Sequence, residues 1–226
     1  MILTFASACD KFQAHCLVNR FWYDLIHFNA TSWYSLDMFS SKLPDYVKLH
    51  IPPSTFRCVR RLEIRVYDRL GTLFQVMPCL SAVPALHLIG HLSSFYTDIV
   101  SDMYSLQELV LTQGSLSVDF MQKMGRTCTQ LQILKLEQCG WSPLDLTMLK
   151  DCASLHTLEI IGRDTTAAKW LTLPASSSLT QLTLLGSEKA KQEAPAGWCD
   201  SYHKLPNLKD LTLDPSVAGV PMFHAL

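Results

Sequence analysis

The sequence carries little charge, and what it carries is balanced. Charged residues are 17% of the 226, with 19 basic against 20 acidic and a formal charge of −1. Such a chain makes no broad field to steer nucleic acid or an anionic membrane. No basic run makes a local one. Long apolar runs are missing as well. A membrane span takes about 18 uninterrupted apolar residues, and the most apolar stretch, 76–92, is broken by Pro78, Pro84, His87, Gly90 and His91. Residues 6–8 read Ala-Ser-Ala, but no basic start and no long apolar core precede them, so a secretory leader is not expected. A protein of the cytoplasm, the nucleus or both is the expectation. Catalytic signatures are missing too: there is no glycine-rich phosphate loop, no GxSxG elbow and no HExxH. The eight histidines are scattered without a pairing pattern. No catalytic residue and no cofactor are therefore expected.

Cysteine is not scarce, with eight residues, but it lacks metal-ligand spacing. Cys139 and Cys152 invite a zinc reading, yet no CxxC or HxxxH accompanies them. Buried thiols in a reducing compartment, with no metal, are the expectation. The 48% of hydrophobic residues is enough for a sizeable core.

What the chain does have is a repeat. Leu106-Gln-Glu-Leu-Val-Leu111, Leu131-Gln-Ile-Leu-Lys-Leu136 and Leu155-His-Thr-Leu-Glu-Ile160 share the form LxxLxL. Leu179-Thr-Gln-Leu-Thr-Leu184 and Leu208-Lys-Asp-Leu-Thr-Leu213 share it too. Val59-Arg-Arg-Leu-Glu-Ile64 and Val83-Pro-Ala-Leu-His-Leu88 are substituted copies, and Trp33-Tyr-Ser-Leu-Asp-Met38 is a degenerate one. The starts at 33, 59, 83, 106, 131, 155, 179 and 208 are 26, 24, 23, 25, 24, 24 and 29 residues apart. One such hexamer is common by chance; eight in near-constant register are not. The spacing and pattern resemble leucine-rich repeats.

Each hexamer reads as a short strand whose fourth and sixth residues face the core, with the first entering it at the turn. One repeat cannot bury that side alone, so neighbours must stack. The expected fold is α/β: a leucine-rich-repeat solenoid with a curved parallel sheet and helical or irregular crossovers. Residues 117–124 predict a helix capped by Ser117. Residues 143–150 predict another behind Ser142 and Pro143, and 165–173 a weaker third. Positions three, five and seven point away from the core, onto the concave side. They give a candidate substrate surface of Arg61, Glu63, Arg65, His87, Glu108, Val110, Ile133, Lys135, Glu137, Thr157, Glu159, Gln181, Thr183, Asp210 and Thr212. Mixed charge with apolar patches suits a protein partner better than a nucleic acid.

Cys139 follows Leu136 at the position where such repeats place Asn or Cys. Cys128 and Cys152 each stand three residues before a repeat leucine. In those two repeats the chain resembles the cysteine-containing subclass, which is often joined to an F-box.

The first 32 residues lie outside the repeat pattern. From Asp10, a fair cap, Ala14, Leu17, Phe21, Leu25 and Phe28 form one helical stripe and Val18, Trp22 and Ile26 a second beside it. So wide an apolar face predicts a partner, or packing onto the first repeat. Ile2-Leu-Thr-Phe5, Leu17-Val-Asn-Arg-Phe-Trp-Tyr-Asp-Leu-Ile26 and Ser32-Trp-Tyr-Ser-Leu-Asp-Met38 resemble the later two-thirds of an F-box. The family's opening Leu-Pro-x-Glu is not in the sequence, and Asn19 stands where the family has cysteine. The resemblance implies a short all-α, N-terminally incomplete F-box-like segment over 1–32, followed by about eight repeats over 33–226. It also implies a non-enzymatic substrate receptor of a cullin-type ubiquitin ligase. Leu3, Phe5, Leu17, Val18, Trp22 and Leu25 would meet the adaptor protein, and the repeats would meet the substrate. The other reading is a repeat-only scaffold, similar to ribonuclease inhibitor, with no ligase link.

Overall fold

The computed structural model describes residues 35–39, 59–66, 81–92, 100, 103–141, 146–162, 178–185 and 205–213. Each LxxLxL hexamer supplies a strand. In chain order these are β1 (Ser35–Phe39), β2 (Arg61–Val66), β3 (Ala85–Leu92), β4 (Glu108–Leu116) and β5 (Ile133–Glu137). A two-residue β6 (Gly140–Trp141) follows, then β7 (Thr157–Ile161), β8 (Gln181–Leu185) and β9 (Asp210–Leu213). The sheet runs β1-β2-β3-β4-β5-β7-β8-β9, with every pair parallel. The short β6 pairs with the end of β4 instead.

The pairing register is the sequence register. Leu36, Leu62, Leu86, Leu109, Leu134, Leu158, Leu182 and Leu211 are successive partners across the sheet. A one-residue slip would turn every leucine to the wrong face, so burial fixes the register. From Val59 to Leu184, the first, fourth and sixth residues of each repeat are buried. Each Leu or Ile so removed from water contributes about 1.5–3 kcal/mol.

The turns into β4, β5, β7, β8 and β9 are held by a second ladder. The carbonyl of Pro84 accepts from the amides of Gln107 and Glu108 at 2.7 and 3.0 Å. Gln107 does the same for Gln132 and Ile133 at 2.7 and 3.0 Å, and Gln132 for His156 and Thr157 at 2.9 and 3.1 Å. His156 and Thr180 continue it. Both lone pairs of each second-position carbonyl are thereby used, which leaves no orphan acceptor where the strands begin. At the other end, the eighth position turns left-handed in three successive repeats. Gly90 has φ 126°, and Gln113 and Gln138 hold φ 65° and 51° although they are not glycine.

The crossovers pack behind the sheet. Helix α1 (Val118–Thr127) is capped by Ser117, whose hydroxyl accepts from the Phe120 amide at 3.1 Å. It buries Phe120, Met121, Met124 and Gly125. The next crossover differs from the expected α-helix. Leu146–Asp151 is a 3-10 helix burying Leu146 and Leu149, and residues 142–145, with the expected Ser142 cap and Pro143, lie outside the described residues. The 3-10 form covers more length per residue than an α-helix. Its backbone lies directly on Gly125, where a methyl group would overlap the Met148 carbonyl oxygen. The predicted 165–173 helix also lies outside the described residues.

The cysteines tie repeat to repeat. The Cys128 thiol donates to the carbonyls of Val100 and Met103 at 3.6 and 3.7 Å. One repeat on, Cys152 donates to Cys128 and Gly125 at 3.6 and 3.9 Å. Cys139 donates to Leu111 and Glu137 at 3.4 and 3.5 Å. Burial pushes the Cys128 thiol up to about 12 and those of Cys139 and Cys152 up to about 11. These are structural thiols, held protonated and far from the thiolate that binds metal or attacks a substrate. Among the described residues, no three Cys, His, Asp or Glu side chains gather as a metal cluster.

Candidate binding surface

The face opposite the core is made by positions three, five and seven. Ladder register puts Arg61, Ala85, Glu108, Ile133, Thr157, Gln181 and Asp210 in one row. Glu63, His87, Val110, Lys135, Glu159, Thr183 and Thr212 make the next, and Arg65, Ile89, Thr112, Glu137, Ile161 and Leu185 the third. Every predicted substrate-face residue therefore lies on this one face.

Two of those residues are not available as expected. Val110 and His87 are only 8% and 9% exposed. They sit at the fifth position, in the middle of the face, where side chains of adjacent strands about 4.8 Å away close over them. His87 is also spent on its neighbours. Its Nδ1 lies 3.1 Å from Arg61 Nη2 and its Nε2 2.8 Å from Glu108 Oε1. A guanidinium only donates, so Nδ1 accepts and Nε2 carries the proton given to Glu108, a tautomer assigned from the network. The result is an Arg61–His87–Glu108 strut across three strands. Both ring nitrogens of His87 are engaged.

Elsewhere the face is cross-braced in pairs. Arg65 grips Glu63 Oε1 through Nε and Nη2 at 3.0 and 2.9 Å. Lys135 Nζ meets Glu159 Oε2 at 2.6 Å, directly across the β5–β7 pair. That hydrogen bond holds the Lys135 ammonium above its ordinary value, against some desolvation, with help from the Glu159, Glu137 and Glu108 charges. Thr112 donates to Glu137 at 3.3 Å. Thr157 donates to Gln181 at 2.9 Å, and Gln181 to Asp210 at 3.3 Å. The surface is thus a set of short polar struts between half-buried apolar side chains.

At the strand entrances lies an open groove of about 370 Å³, lined by Arg60, Pro84, Ala85, Gln107, Glu108, Gln132 and Ile133. Its second-position members Arg60, Pro84, Gln107 and Gln132 were missed by the sequence reading, which took only positions three, five and seven as outward. Aligning the hexamers at position two would have shown them. The predicted adaptor residues Leu3, Phe5, Leu17, Val18, Trp22 and Leu25 lie outside the described residues.

No protein-family model matches the chain, and no curated protein matches it. Solved structures do. An internalin (inlF) from Listeria monocytogenes is 17% identical with a TM-score of 0.44, covering 72% of this chain and 43% of that one. The LRR ectodomain of the plant membrane receptor kinase GASSHO1/SCHENGEN3 from Arabidopsis thaliana was solved in complex with CASPARIAN STRIP INTEGRITY FACTOR 2. It is 18% identical with a TM-score of 0.31, over 79% of this chain and 26% of that one. The chain spans less than half the length of either. With one parallel strand per hexamer, in register, the architecture is settled by the chain's own geometry. The fold is a leucine-rich-repeat solenoid.

Proposed function

We propose that this solenoid is a protein-binding scaffold, and that it serves as a substrate receptor of a cullin-type ubiquitin ligase in the cytoplasm or nucleus. The observation that supports protein binding is the open face. Its mixed charge is already braced by internal pairs, and its half-exposed apolar side chains (Ile89, Ile133, Ile161, Leu185) interleave with them. Such composition fits a protein surface, where a few anchors provide most of the affinity. What supports the ligase role is the F-box resemblance of residues 2–38, with Leu3, Phe5, Leu17, Val18, Trp22 and Leu25 against the adaptor. The sequestered His87 and the protonated thiols favour a binding role without chemistry.

Co-purification with the cullin adaptor is the test. We expect capture that is lost in Trp22→Ala/Leu25→Ala and retained when Lys135 and Glu159 are replaced by alanine. If no adaptor binds even when a Leu-Pro-x-Glu helix is supplied upstream, the ligase role is wrong and a repeat-only scaffold remains.

A further inference from the structure

In the groove at the strand entrances Glu108 is bonded to His87, but the second-position polar side chains are unspent. In the next two repeats the second-position side chains are used locally, His156 on Thr157 and Thr180 on the His156 carbonyl. Across β2 to β5 they are not. Arg60 is exposed with no ion pair or hydrogen bond among the described residues, and the amides of Gln107 and Gln132 have no side-chain partner there. The main chain cannot do the recognition, because the carbonyls of Pro84, Gln107 and Gln132 each already accept two amides. Any ligand must be read by these side chains.

Their spacing says what they would read. Register places Gln107 beside Gln132, about 4.8 Å apart, and Arg60 two strands further along, about 14 Å from Gln132. A primary amide offers one donor and one acceptor face, the complement of a peptide group. Two of them side by side suit the main chain of an extended segment crossing the strands. About five extended residues reach from Gln132 to Arg60. There a free guanidinium meets the segment's end, with the Arg61 guanidinium held nearby by His87. Pro84, Ala85 and Ile133 give an apolar floor between. Arginine pairs best with a carboxylate, in a fork geometry.

We propose that this groove binds an extended peptide segment of a partner protein, its main chain held by Gln107 and Gln132 and an Asp or Glu side chain seated on Arg60. This rests on the protein-binding reading above and deepens it by naming the partner's chemistry.

The test is selection of a random displayed-peptide library on the full chain, followed by anisotropy titration of the enriched peptides. Selected peptides should carry an Asp or Glu about five residues from an apolar side chain. Arg60→Ser, the Gln107→Ala/Gln132→Ala pair, and alanine at the peptide's acid should each weaken binding about tenfold or more. Lys150→Ala, on the exposed side of the 3-10 crossover helix, should leave binding within about twofold. Thermal midpoints should be unchanged in these surface variants, which separates binding from folding. Enrichment without an acidic residue, indifference to Arg60→Ser, or no enrichment at all would overturn the groove. Peptides lost instead on Lys135→Ala/Glu159→Ala would overturn it while leaving protein binding by the open face intact. Adaptor capture, read separately, reports on the ligase role alone.

Discussion

Adjacent residues in one strand of this protein have opposite fates. Leu134 is fully buried, while Lys135 is half-exposed in a 2.6 Å pair with Glu159. Leu134→Ala leaves a cavity between two repeats and should cost about 2–5 kcal/mol. Lys135→Ala loses a partly solvated ion pair and should cost about 0.2–1 kcal/mol. Urea titration of both variants checks the register, and equal costs would show it to be wrong. The thiols make a second residue-level prediction. Folding raises Cys128, Cys139 and Cys152 above the ordinary value of 9.0. A raised thiol contributes stability that is fully present below that value and lost as pH rises through the folded-state values of about 11–12. The unfolding midpoint should therefore fall between pH 9 and 11 for the native chain. It should fall less in Cys128→Ala/Cys152→Ala. At pH 8 the three thiols should resist a disulfide reagent until denaturant is added.

At the scale of elements, the crossovers decide how closely repeats approach. The Ser117 cap satisfies an amide that the first turn of α1 leaves open, so Ser117→Ala should cost about 1 kcal/mol. Gly125 is a different case. Its φ is unremarkable, and only the approach of the 3-10 helix backbone demands glycine. Ala is ordinarily the better helix residue by about 1 kcal/mol. Gly125→Ala should nevertheless destabilise by about 1–3 kcal/mol, because the Met148 carbonyl cannot move without breaking the stack. Thermal unfolding of the pair gives the comparison, and a stabilised Gly125→Ala would show that the 3-10 helix does not sit there. The Ser117 cap was legible in the sequence because a cap is a local signal. The Gly125 contact was not, because its partner lies some 23 residues on in the next crossover.

For the molecule as a whole, each repeat touches its neighbours and little else, so coupling should be short-ranged. Leu109 and Leu134 are direct partners in adjacent strands. Leu62 and Leu182 are five strand spacings apart, about 24 Å. Alanine substitutions at Leu109 and Leu134 together should depart from additivity by about 0.5–3 kcal/mol, whereas those at Leu62 and Leu182 should add within about 0.5 kcal/mol. Denaturant melts of the four single and two double variants decide it. Strong coupling of the distant pair would mean a globular core in place of a solenoid.

The amino-acid sequence by itself determined the repeat, the register and the buried face. A period of about 24 residues with a fixed hexamer admits one stacking in which every leucine is covered, and the ladder obeys it from Leu36 to Leu211. It also determined that Cys128 and Cys152 stand at equivalent positions, since equivalence is only counting. The tertiary structure alone decided which of the outward residues remain free. His87 became a buried strut because Arg61 and Glu108, 26 residues before it and 21 after, arrive at the same level of the sheet. Arg60, Gln107 and Gln132 came to line one groove because stacking brought the second positions of successive repeats into one row, with the Gln107 and Gln132 carbonyls used up. Periodicity fixes the direction of a side chain; only its cross-strand neighbours fix whether it still has a bond to offer.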